Sequence, residues 1–350
     1  MAEITLRRKH YKSNLDKCEH AGLMLERGFD KWDTSDNQYN EQKKVFYDHL
    51  IAISPSDFYQ KAYQRWQNHL LENTATCKTW PGKVDGRLYL GLGEANPLES
   101  AVTLHHTYGV PFIPGSAIKG VLHHALVAQI AKEYDEDQKK YILEKNEQNI
   151  VDTLFGREPD LNDRKDIGDA GYVIFNDAWW IPGENPLVKE IITVHHQKYY
   201  AGEQPATDFD SPNPNPQIAI RGSFLFSVEG EDSWANYAIK LLQETLKRKG
   251  IGAKTASGYG YFQENELLQN KIEDWPDAQL GSRNLAGMGN IIEATFEGKK
   301  AMAKREEQKD FIDNLSNSAK KKLNKHALTR AIKVRKSGNS YHIVELMVDK

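Results

Sequence analysis

Four glycines within a short window, Gly250, Gly252, Gly258 and Gly260, constrain this chain more than any other feature. They form two Gly-x-Gly pairs, and the residues between them include Lys254, Thr255 and Ser257. Glycine at fixed places calls for backbone that bends sharply, or for a ligand that approaches the main chain closely. The intervening Lys, Thr and Ser are the side chains that phosphate contacts require. Trp234, Tyr237, Ala238, Leu241, Leu242 and Leu246 form a helical stripe ahead of the loop, with a cap at Asp232 or Ser233. Gly250 stands just past that helix, and Tyr259–Phe262 leaves the loop as a strand. The loop lacks the Gly-Lys-Ser/Thr ending of a Walker A motif and follows a helix rather than a strand, so nucleotide hydrolysis is not expected.

A second loop runs from Pro111 to Gly120. Pro114-Gly115 reads as a turn and Ser116 as the N-cap of an amphipathic helix over 117–132, with Ile118, Val121, Leu122, Ala125, Leu126 and Ile130 on one stripe. Free amides, the Ser116 hydroxyl and the Lys119 ammonium at a helix start make an anion site. A Ser so placed serves as a plain cap more often than as a phosphate ligand.

Strands are expected at 87–92, 171–177, 222–228 and 259–263, and helices at 117–132 and 233–248. The class is α+β, with a ferredoxin-like or RRM-like β-α-β-β-α-β core carrying long insertions. Such a sheet has one face covered by helices and the other free for ligands. Ahead of the core, residues 1–80 form a helical extension, with Ser56 as a cap and Phe58, Ala62, Trp66, His69 and Leu70 on one face. The core spans 81–270. Within it, 196–220 holds Pro205, Pro212, Pro214 and Pro216 and reads as a projecting arm. Residues 283–350 read as a small, basic, mostly β domain, with hairpin strands at 291–296 and 299–304, a helix near 310–325 and strands at 329–336 and 341–348.

Charge supports that division. Residues 291–350 hold 14 Lys and Arg against 8 Asp and Glu, a net of +6, while the rest of the chain is acidic at −9. A basic end on an acidic body suits polyanion contact on one side. Cys18 and Cys77 are too few for a disulfide framework, the longest apolar runs fall short of a bilayer span, and the first residues lack a signal-peptide core. A cytoplasmic protein without membrane contact is expected.

The two loops carry a resemblance. Tyr108-Gly109-Val110-Pro111-Phe112-Ile113-Pro114-Gly115-Ser116-Ala117-Ile118-Lys119-Gly120 resembles the Y-G-(L/V)-P-Y-I-P-G-S-S-(L/I)-K-G signature of the RAMP superfamily of CRISPR proteins. Residues 250–262 look like that superfamily's C-terminal glycine-rich loop. His105-His106, and His195-His196-Gln197-Lys198-Tyr199-Tyr200 followed by Pro205, Asp208 and Asp210, are similar to the branch formed by sixth subunits of type III-B effector complexes. Ala117 replaces a frequent Ser, and His123-His124 stand where Arg is often found. The resemblance covers about 87–263.

It implies a non-catalytic backbone subunit that binds guide RNA along its phosphates, near the guide's 3′ part, in a complex acting against complementary RNA. The implied partners are guide RNA, target RNA and the other subunits, and the arm at 196–220 corresponds to a thumb that wedges into the duplex. RNA-binding candidates are His105, Ser116, Lys119, His195, Arg221, Gly250, Gly252, Lys254, Thr255, Ser257, Gly258 and Gly260. No cofactor is expected. No metal is expected either: adjacent histidines in a strand point to opposite faces, and Asp208 and Asp210 suit turn chemistry. Two other readings stand beside this one. The first is a RAMP endoribonuclease using His105, His195 or Asp210, and the second is a structural scaffold that holds neighbouring subunits.

Overall fold

The computed structural model describes residues 4–5, 18–29, 31–32, 36–94, 98, 100–160, 162–163, 165–194, 197–207, 213–265, 272–285, 289–337 and 340–347. The chain forms two compact units, Met1–Gln263 and Glu264–Lys350.

In the first unit, helices α1 (Ala21–Arg27), α2 (Asp36–Ala52) and α3 (Asp57–Glu72) precede strand β1 (Cys77–Asp85). Ser56 caps α3 by accepting a hydrogen bond from the Tyr59 amide at 3.3 Å. The buried stripe of α3 is Tyr59, Ala62, Tyr63 and Leu70; it shares Ala62 and Leu70 with the predicted face, Trp66 packs partly buried beside it, and Phe58 is 57% exposed. Then come β2 (Phe112–Ile113), α4 (Gly115–Ile130), α5 (Lys145–Phe155), β3 (Val173–Phe175) and β4 (Ala178–Trp180). β5 (Leu187–Val194), α6 (Gln197–Tyr200), β6 (Asn213–Ile220), β7 (Ser223–Gly230), α7 (Asp232–Arg248) and β8 (Tyr261–Glu264) complete the unit.

One sheet runs β8-β1-β7-β4-β2, and β3 pairs with β7 beyond the end of β4. β1, β3 and β4 all lie antiparallel to β7. The first strand of this sheet is 77–85 and not the expected 87–92. Pro81 and Gly82 disguise it as a loop, yet Gly82 is where the Trp80 and Phe226 rings leave no room for a Cβ. Residues 87–90 continue past the strand, and Leu88 makes one bridge to Ile220.

The second sheet face is not left open. α3 packs on β1, and Tyr59 and Trp66 stack on Trp179 of β4 at 6.0 and 6.1 Å. Leu225 and Ser227, the β7 side chains on that face, are buried. The N-terminal helices therefore share one hydrophobic core with the sheet.

β5 and β6 pair over their full lengths as a separate two-stranded ribbon, with Thr193 opposite Pro214 and Ile191 opposite Pro216. Prolines in paired strands are tolerated where the missing N–H faces away from the partner. α2 braces the ribbon: buried Lys43 donates to the Asn215 side chain at 2.9 Å, and Lys189 of β5 pairs with Asp48.

The second unit is a closed five-stranded barrel in the order β9-β10-β11-β13-β12, formed by β9 (Ile272–Leu285), β10 (Gly289–Phe296), β11 (Lys299–Lys304), β12 (Leu328–Ser337) and β13 (Ser340–Leu346). Helices α8 (Lys309–Asn314) and α9 (Asn317–Asn324) lie between β11 and β12. The barrel begins at Ile272 rather than at 283, because Pro276-Asp277 break the alternation that would mark β9 in the sequence. The structure accommodates them in a register shift between Trp275 and Ala278.

Candidate nucleic-acid interface

The glycine loop is shaped by its own packing. Gly250, Gly252, Gly258 and Gly260 all have positive φ, from 71° to 91°. A Cβ on Gly260 would lie 2.0 Å from the Ile251 carbonyl oxygen, and one on Gly252 would lie 2.2 Å from that of Tyr89. Only glycine tolerates such approach. Loop amides close the structure: Ile251 donates to Gly260, Ala253 to Tyr89, Gly260 to Arg87, and Ser257 to Lys254. These amides hold the loop to itself and to residues 87–89, so the glycines serve the sharp backbone bends.

What points outward is a set of side chains. Lys254, Ser257 and Gly258 are exposed, and Thr255 is partly so. Lys254 itself has φ 59°, the left-handed conformation that starts the short turn over Thr255–Ser257. Its ammonium has no hydrogen-bond or ion-pair partner among the described residues. Behind the loop, the Tyr89 and Tyr259 rings meet at 4.9 Å, and the buried Tyr89 hydroxyl has no hydrogen-bond partner among the described residues. Burial drives that phenol well above its ordinary pKa.

At the second loop the cap is not Ser116. α4 starts two residues earlier than expected, at Gly115 after Pro114, and the Gly115 amide donates to the Asp177 carboxylate at 2.7 Å. Gly115 is required because a Cβ there would meet the Phe175 carbonyl oxygen at 2.1 Å. The helix end predicted to be an anion site thus already holds one of the protein's own carboxylates. Ser116 and Lys119 lie just beyond it, exposed, and Lys119 has no ion-pair partner among the described residues. No local signal marks Asp177 as the cap, since it lies 62 residues away.

The remaining predicted residues sit elsewhere. Arg221 is engaged: its Nε donates to the Asn185 carbonyl at 2.9 Å and its guanidinium pairs with Glu184 at 3.3 Å. His105 is half-buried among Tyr108, Phe112 and Trp179, and its Nδ1 accepts from the Thr107 amide at 3.2 Å. Burial lowers its pKa, with Asp177 pulling the other way. His195, Asp208 and Asp210 lie outside the described residues. His123 and His124 are exposed on α4 and contact Phe155 and Tyr141 edge-on. Among the described residues no three His, Cys, Asp or Glu side chains gather as metal ligands do.

The two loops do not meet. The glycine loop leads into edge strand β8 at the Gly222 end of β7, whereas α4 starts beside Phe175, which pairs with Val228 at the other end. Strand spacing and rise separate these corners by roughly 25 Å. No single phosphate reaches both.

The RAMP superfamily model matches residues 83–263, just over half of the chain. The chain belongs to the RAMP superfamily. Within it, the chain is 30% identical over 275 residues to the CRISPR system Cmr subunit Cmr6 of Pyrococcus furiosus, covering 65% of this chain and 81% of that one. The crystal structure of Cmr6 from Pyrococcus furiosus aligns at 27% identity and a TM-score of 0.32, over 54% of this RAMP chain and 97% of that one. A chain from the cryo-EM structure of the type III-B Cmr-beta bound to cognate target RNA aligns at 16% identity and a TM-score of 0.48, over 66% and 74% of the two chains. No helix among the described residues is long and apolar enough to cross a membrane.

Proposed function

We propose that this RAMP chain is a non-catalytic RNA-holding subunit of a type III-B CRISPR effector complex that acts against complementary RNA. The sequence similarity to Cmr6 supports membership of such a complex. The sheet order, with β1, β3/β4, β7 and β8 as its four strands and α4 and α7 as its helices, supports a ferredoxin-like, RRM-like core. The observation that carries RNA binding is the placement of Lys119 and Lys254, both exposed and unpaired among the described residues, at opposite corners of one sheet. A guide held without regard to sequence is gripped through phosphates, and spaced cations suit that task. Ser116, Thr255, Ser257 and Gly258 lie beside them as further contacts. The β5–β6 ribbon, stiffened by Pro214 and Pro216, is suited to the thumb role.

Filter binding of single-stranded RNA across a salt series tests this reading. Changing Lys119→Ala together with Lys254→Ala should reduce the slope of log K against log salt by about 1.4, since each phosphate contact on a single strand contributes roughly 0.7. An unchanged slope removes both loops from the interface. Cleavage of guide precursor or guide–target duplex that is lost with His105→Ala, His195→Ala or Asp210→Ala would instead establish the endoribonuclease reading.

A further inference from the structure

The superfamily match ends at residue 263, and the barrel begins at Ile272. Its connectivity is specific. The first strand pairs with both the second and the fourth, the third and fifth run parallel, and helices fill the crossover between the third and fourth. This is the strand order of the OB-fold, whose second and third strands offer a face for oligonucleotides. A fold does not by itself assign a ligand, so the face must be read from its side chains.

Register defines that face. Gln279, Gly281 and Arg283 of β9 stand opposite Thr295, Glu293 and Ile291 of β10, and these stand opposite Lys300, Met302 and Lys304 of β11. The alternate residues, including Leu280, Ile292, Ala294, Ala301 and Ala303, fill the barrel core. The outer grid therefore holds three cations and one carboxylate, and its corner at Ile291 is buried. Glu293 is already held between Lys300 at 3.0 Å and Arg283 at 3.7 Å, and Lys300 chiefly lowers its pKa. Met302, opposite Glu293 on the outer strand of the grid, is 40% exposed. The ring of exposed His326 lies directly over Gly281, whose missing side chain makes the space. The grid thus offers excess positive charge around two flat or apolar surfaces of base size.

We propose that the β9–β10–β11 face of this barrel binds single-stranded RNA, as a second site separate from the superfamily core. Charge complementarity selects a polyanion, and Met302 with the His326 ring gives bases a surface to lie on. The grid carries no large aromatic side chain, so contacts are mainly to phosphate and binding is salt-sensitive and tolerant of sequence.

The test uses the full chain and an oligouridylate of about 12 nucleotides carrying 4-thiouridine, a length within the range one such barrel occupies. Photo-crosslinked peptides should map to residues 279–304 or to His326 in the wild type. They should persist in the Lys119→Ala/Lys254→Ala variant, which separates this site from the core. In the Lys119→Ala/Lys254→Ala background, anisotropy titration of Arg283→Glu/Lys300→Glu should show at least a tenfold loss of affinity at low salt with an unchanged melting temperature. Should that variant melt early, Met302→Glu, a substitution at an exposed position, should weaken the barrel crosslinks at least threefold. Crosslinks confined to residues 83–263 overturn the proposal while leaving the core reading intact, and so does a charge-reversed barrel that, in the Lys119→Ala/Lys254→Ala background, melts and binds as its parent does.

Discussion

Gly258 and Gly260 have similar positive φ values but different surroundings, and the contrast assigns each a role. A Cβ on Gly258 meets nothing within 4 Å, while one on Gly260 collides with the Ile251 carbonyl. Gly258→Ala should cost roughly 1–2 kcal/mol, the left-handed penalty alone. Gly260→Ala should cost about 3 kcal/mol or more, because the loop must also open. Urea unfolding of the two variants measures this, and equal losses would contradict the packing account. His105 supplies a pH effect of known sign. Its ordinary pKa is 6.5, and burial lowers it in the folded state. Below about pH 6.5 the unfolded chain therefore binds more protons, and stability falls as pH drops through that region. His105→Gln should show a smaller decline in urea midpoint between about pH 7.5 and about pH 5.5 than the wild type. An equal decline would assign the effect to other groups.

Helix α3 closes the sheet face that a four-stranded reading leaves bare, and its hold is centred on Tyr59. The ring is buried against Trp179 and Trp180, and the hydroxyl donates to the Trp180 carbonyl. Tyr59→Phe keeps the packing but orphans that carbonyl, at a cost of about 1–3 kcal/mol. Phe58→Ala, at an exposed neighbouring position, should cost under about 1 kcal/mol. Thermal unfolding that ranks Phe58 above Tyr59 would mean that α3 docks by its other face. The α4 start follows the same logic of distant partners. Pro114-Gly115-Ser116 was legible as a helix beginning, but the capping carboxylate comes from Asp177 after a long excursion, so Ser116 is left to face outward.

For the whole molecule, the separation of Lys119 from Lys254 sets a length requirement on the proposed RNA ligand. A span of roughly 25 Å corresponds to about seven nucleotides at the rise of a duplex strand. Competition by oligouridylates should therefore strengthen steeply up to about that length for the core site, with the barrel charge-reversed to remove its contribution. A dinucleotide competing as well as an octamer would show that one corner suffices. Periodicity marked α4 and α7 because each buries a single stripe, and glycine and proline marked both loops because only those residues meet the backbone demands there. The hairpin of β10 and β11 was equally readable, since Glu297-Gly298 sits between two alternating runs. Local pattern was silent on β1 and β9, where Pro81 and Pro276 imitate loops within paired strands. The amino-acid sequence by itself determined the helices, the turn chemistry and the superfamily, because these depend on residues close together in the chain. Only the tertiary structure decided which loop amides are already used, what covers the second sheet face and how far apart the two lysines stand, because each depends on contacts between segments tens of residues apart.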